Sequence, residues 1–179
     1  MNAHRRGLGW PAAIVVAATA PAIPAMAQEG GVALSDCGAL VGVYVTRNYN
    51  KHPGPKRVVS RSLLTFAADG AVAFDDSAEG GGPGYAPFSG GQGAWTCVSA
   101  EDGTLHFKAV ILDFTLASIH WPEPRIGRVD IDGVYDISAA AMTGTATLSF
   151  APFDADPLDT GSLQDSATGP FDAKRITAD

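Results

Sequence analysis

Positive charge is scarce in this sequence. Its 179 residues include 12 lysines and arginines against 19 aspartates and glutamates, a net charge of −7. A surface of that sign repels phosphate backbones, and the few cations form no stripe, which excludes nucleic acid as a partner. Charge of either sign is sparse too, at 17 % of the chain, and no segment predicts a helix longer than a turn or two. Cysteine is reduced to Cys37 and Cys97. There is no CxxC pair and no histidine close to either, which disfavours a metal or redox pair and leaves one disulfide as the simplest reading. The four histidines include no two at metal-ligand spacing, so neither a metal nor a cofactor is expected. Also missing are a GxSxG turn, a glycine loop leading to a phosphate-binding lysine, and a nucleophile beside a base. No residue is therefore assigned as catalytic.

Long apolar runs are confined to the start of the chain. Arg5 and Arg6 precede an alanine-rich run from Trp10 to Ala25, and Ala25-Met26-Ala27 places small residues where a signal peptidase cuts. Pro11, Pro21 and Pro24 interrupt the run, which suits neither a buried helix nor a membrane anchor. Residues 1–27 thus read as a cleavable signal peptide, residues 28–38 as a flexible lead-in and residues 39–179 as one domain. Nothing after residue 27 approaches a membrane span. Cleavage removes two arginines and no acid, so the charge left is 10 − 19 = −9. The expected location is the periplasm or the cell exterior, where a disulfide persists. Closing a loop of about 60 residues stabilises a fold by roughly 4 kcal/mol in the chain-entropy description.

Turn-forming residues are abundant, with 21 glycines and 12 prolines, a balance that suits short strands. The longest stretch of strand character is Thr104 to Leu116. In it Leu105, Phe107 and Ala109 alternate with His106 and Lys108, and from Ala109 to Leu112 both faces are apolar, which predicts burial on both sides. Further strands are predicted at 41–47, 58–66, 71–74, 92–98, 126–137, 142–150 and 171–176, with Trp95 and Cys97 on one face and Gly133 permitting a bend. Asp69-Gly70 and Asp102-Gly103 mark hairpin turns. The glycine-rich stretch 75–91 reads as a long mobile loop at a barrel mouth. About eight strands with hairpin-length connections predict an all-β, antiparallel up-and-down barrel, closed so that no edge is left open.

Few residues can carry chemistry. Asp113 lies in the apolar part of the longest strand. Pointing inward, its pKa would rise and suit proton transfer; at the rim, the favoured placement, it is a solvated strand end. Arg128 and Tyr135, with Arg61 and Arg125, are its candidate partners. An inward arginine could hold a carboxylate through two nitrogens, while an outward one forms an ordinary salt bridge. His120 and Trp121, beside Pro122 and Pro124, offer an aromatic rim to a ligand or simply close the barrel end. Trp95, Asp113, His120, Trp121, Arg128 and Tyr135 are therefore the candidate ligand-binding residues. Asp154, Asp156, Asp159 and Asp165 gather carboxylates in one loop, but their spacing and Pro157 depart from a calcium loop.

Several short pieces follow one another in a suggestive order. They are Gly42-Val43-Tyr44, the hairpin from Leu63 to Gly70 (LLTFAADG), Gly91 to Trp95 (GQGAW), His106-Phe107, Met142 to Ala146 (MTGTA), and the ending Gly169 to Ile176 (GPFDAKRI). Over residues 39–176 this order resembles the small bacterial lipocalin-like (calycin) proteins. The resemblance implies a barrel around an apolar cavity and a protein that binds a small hydrophobic ligand there. Allene oxide cyclase and dirigent proteins use similar eight-stranded barrels, so an isomerase or cyclase is the second reading. The third is an envelope module that binds another protein, for instance a protease inhibitor acting through its N-terminal segment or the 75–91 loop.

Overall fold

The computed structural model describes residues 34–50 and 56–178, so the signal-peptide reading of residues 1–27 lies outside the described residues. Nine strands follow in chain order: β1 (Gly42–Tyr49), β2 (Val58–Ser60), β3 (Ser62–Phe66), β4 (Ala71–Asp76), β5 (Gly91–Glu101), β6 (Thr104–Phe114), β7 (Arg125–Asp136), β8 (Ala141–Pro152) and β9 (Gln164–Arg175). From β3 onward each strand pairs antiparallel with the next, and β9 returns to β1 from Tyr44↔Arg175 to Asn48↔Phe171. Only Arg61 separates β2 from β3. Its N–H donates to the Ser77 hydroxyl at 2.9 Å and its carbonyl accepts from the Ser77 N–H at 2.8 Å, so the two act as halves of one strand bent at that residue. The result is a closed, eight-stranded, up-and-down barrel, as the alternation predicts.

Turn chemistry fixes the hairpins differently in two places. Asp102 and Gly103 both have positive φ, 45° and 79°, as a two-residue turn between twisted strands demands. At Asp69-Gly70 only the glycine does, with φ 88°, and the Asp69 carboxylate accepts from the Ala71 N–H at 3.0 Å. The last strand starts at Gln164, well before the predicted Phe171. Gly169 and Pro170 read as breakers, but the ladder to β1 ends at Phe171 and β9 there has only β8 beside it. A proline N lacking its hydrogen is tolerated at such an edge.

One half of the barrel is packed solid. Tyr44, Phe66, Trp95, Phe107 and Tyr135 meet edge to face there, with ring centroids 5.3–5.8 Å apart, an arrangement favoured by the ring quadrupoles. The Phe107 ring occupies the space a Cβ at Gly133 would need, so that glycine makes room for a side chain. A 3-10 turn, Leu34–Leu40, lies at this end. The Cys37–Cys97 disulfide, with Cα atoms 6.2 Å apart, ties it to β5. The Tyr44 hydroxyl donates to the Leu40 carbonyl at 2.8 Å, and the Arg175 guanidinium donates to the carbonyls of Ala39 and Val41. These ties hold Cys37 and residues 39–41 against the barrel end.

Two other expectations are corrected. Leu105, Phe107, Ala109, Ile111 and Asp113 on β6 are buried inside, but Val110 and Leu112 on its outer face are only half-buried. The stretch 77–90 is fastened down: the Phe88 N–H donates to the Glu79 carbonyl at 2.9 Å and the Leu116 N–H to the Pro87 carbonyl at 2.7 Å, while Phe88 stacks on Phe74. On the outer wall His106 is exposed and Lys108 pairs with Asp132 at 3.7 Å. Among the described residues no helix is long and apolar enough to cross a membrane.

Candidate functional site: a cup in the open half

The other half of the barrel is hollow. A cavity of about 720 Å³ opens at the end opposite the disulfide. Leu64, Ile111, Ile131 and Phe171 belong both to the packed core and to the lining, and so form its floor. Val129 on β7 and Ala146, Leu148 and Phe150 on β8 make an apolar wall. The stretch 77–90 contributes Tyr85 and Phe88 at the mouth, and the loop after β6 contributes Trp121.

A second wall is polar. Thr46 and Asn48 on β1, Ser60 on β2, Ser62 on β3 and Asp76 on β4 line the cup side by side. One Asp76 oxygen accepts from Asn48 at 3.2 Å, Ser60 at 3.1 Å and Ser62 at 2.6 Å. The other accepts from the Ala78 N–H at 2.8 Å. This group is satisfied internally and pins the ends of four strands together. No sequence motif marks it. The available signal is parity: Ser60 and Ser62 share a face with Leu64, and Thr46 and Asn48 with Tyr44.

Asp113 is placed differently from the favoured rim position. Alternation along β6 carries it inward after Ile111, where it lines the cavity at 4 % exposure. Gly127 lies opposite on β7, and a Cβ there would overlap the carboxylate. Loss of solvent, and secondarily the negative charge of Glu79, pushes the Asp113 pKa up to about 6. No hydrogen-bond donor serves this carboxylate among the described residues. Arg125, at the mouth, lies over the Phe150 ring at 4.8 Å and pairs through Nη1 with Asp165 at 2.9 Å. Its Nη2 is buried without a partner.

Of the six candidate ligand-binding residues, the cavity brings together Asp113 and Trp121. Trp95 and Tyr135 lie in the packed half, and the Trp95 indole N–H donates to the Ala67 carbonyl at 2.9 Å. Arg128 faces away from the cup. It holds Asp130 at 2.7–3.1 Å and reaches the carbonyls of Pro157 and Leu158, fastening the loop after β8. His120 is exposed beside Trp121 and outside the lining. Asp156 and Asp159 accept from the nearby Leu158 and Gly161 N–H groups, as turn-forming aspartates do.

Compared with protein-family models, curated proteins and solved structures, the chain matches none. Its architecture alone defines its class: a closed antiparallel barrel, calycin-like in plan, plugged at one end and hollow at the other.

Proposed function

We propose that this protein is a lipocalin-like binding protein that holds one small, largely apolar molecule in the open half of its barrel. The observation that carries this reading is the unequal filling of the interior. Protein interiors pack to the density of organic crystals, and the aromatic half obeys that rule while the other half keeps a cavity of about 720 Å³. A volume of that order, mostly apolar and with a few convergent polar groups, suits a ligand of drug-like size. Asp113, Trp121 and Arg125 are its proposed contacts. In this reading residues 1–27 direct export to the periplasm or beyond, where the Cys37–Cys97 bridge forms.

Native mass spectrometry of protein extracted gently from its own compartment tests the proposal. A single small molecule that travels with the folded chain and is shed on denaturation supports it. A chain that stays empty, even after incubation with a lipid extract of the same cells, counts against it. Asp113 favours one second reading, an isomerase or cyclase, because a carboxyl with a pKa of about 6 in an apolar cup suits proton transfer near neutral pH. Chromatography then finds the bound molecule converted at unchanged mass. Unaltered ligand after long incubation argues for binding alone.

A further inference from the structure

The polar end of the ligand can be deduced from the charges of the cup, a step that rests on the binding reading above. Among the described residues, four carboxylates, Asp76, Asp113, Glu123 and Asp165, line the cavity with one cation, Arg125. Glu79, in the stretch after β4, adds a further negative charge that acts on Asp113. These groups are not equivalent. Asp76 is saturated by Asn48, Ser60, Ser62 and the Ala78 N–H. Asp165 is already paired with Arg125, and Glu123 is exposed on the mouth loop. Asp113 differs from all of them. It is 4 % exposed, faces the cup, and has no donor of its own among the described residues.

An isolated carboxylate in an apolar site is costly unless something donates to it. The missing partner is a donor, and the surrounding negative charge favours a cationic one. An anionic head would instead meet Asp113 and Glu79, and the guanidinium placed to hold it is already countered by Asp165. We propose that the cup selects amphiphilic amines, with the protonated nitrogen donating to the Asp113 carboxylate and the apolar body lying on Val129, Ala146 and Leu148.

Three ligands with one skeleton test the proposal: a naphthalene bearing an aminoethyl, a hydroxyethyl or a carboxymethyl arm, titrated calorimetrically into the full mature chain. At about pH 8 the amine binds the wild type about tenfold more tightly than the alcohol, and the carboxylate binds weakest, about the worth of one charge-assisted hydrogen bond. The amine's advantage disappears in D113N and in D113S. It also fades in the wild type as pH falls below about 6, where Asp113 takes up a proton. Circular dichroism establishes that each variant is folded. Tightest binding of the carboxylate, or an amine preference that survives both substitutions, overturns the proposal. A neutral probe, N-phenyl-1-naphthylamine, separates the two levels of failure. If the probe binds and the amine has no advantage, amine selection alone is wrong. If neither the probe nor any of the three binds, the cup is not a binding site and both readings fall.

Discussion

Asp113 carries a cost that depends on pH. Its folded-state pKa of about 6 lies above the ordinary value of 3.8, because burial and Glu79 disfavour the charged form. Below about pH 4 the carboxyl is protonated in both folded and unfolded chains and costs nothing. Between about 4 and 6 the folded chain retains a proton that the unfolded chain has released, so stability falls as pH rises, by an amount on the order of 3 kcal/mol once fully imposed. D113N removes that dependence. Chemical denaturation of the two proteins from pH 3.5 to 7.5 should show the wild type losing ground to D113N across this window; parallel curves contradict the buried placement. Gly127 supplies the room for this carboxyl. G127A should cost about 1–3 kcal/mol by overpacking, and most of that cost should vanish in a D113A background, because the two changes meet at one contact. Additive costs in the double variant would show that the glycine serves another purpose.

Among the elements, the β1–β9 seam closes the barrel, and a charged pair sits on it. Arg47 holds Asp172 with two bonds, 2.7 and 3.0 Å, and the Tyr49 hydroxyl donates to the same carboxylate at 2.6 Å. Partial burial pushes the Asp172 pKa up, but the Arg47 and Tyr49 hydrogen bonds outweigh it and hold the value below 3.8. The sign is opposite to that of Asp113. The seam's contribution is present above the unfolded pKa and is lost as pH falls through the lower, folded value. Arg47 is half exposed, with 48 % of its side chain accessible, so solvent screening keeps the pair's contribution small. D172N should lower the denaturation midpoint slightly at low salt, and molar salt should erase the difference; a loss unaffected by salt would mean that packing, not charge, closes the seam.

The elements also show what the residue pattern reveals and what it hides. Alternation on β6 and β7 is local, so Leu105, Phe107 and Ala109 are legible as one inward face from sequence alone. The same parity assigns Asp113 to the inner face. Whether that level of the strand lies at the rim or within the barrel depends on strand tilt and stagger, which are properties of the closed sheet. The polar wall is hidden for a related reason: Thr46, Asn48, Ser60, Ser62 and Asp76 come from four strands and meet only through register. The early start of β9 escapes because Gly169 and Pro170 are breakers in most contexts and are tolerated where the β1 ladder has ended. Arg128 has the right charge for an inner anchor, yet its partners Asp130, Pro157 and Leu158 lie on the outer side.

The whole molecule divides its interior between two tasks. The closed half supplies cohesion through its aromatic cluster and its 3-10 plug, and the open half forgoes that packing to keep a cavity. Replacing both Cys37 and Cys97 by serine should cost about 4 kcal/mol, since the bridge closes a long loop of the unfolded chain. Urea denaturation with and without reductant measures it, and an unchanged midpoint would show that the plug holds without its staple. The most direct test of the account concerns the cavity itself. Titration with N-phenyl-1-naphthylamine should show one probe bound per wild-type chain, and A146W and V129W, which fill the cup from the apolar wall, should bind none while melting no lower than the wild type. Equal binding by the filled variants, or no binding by the wild type, would contradict it.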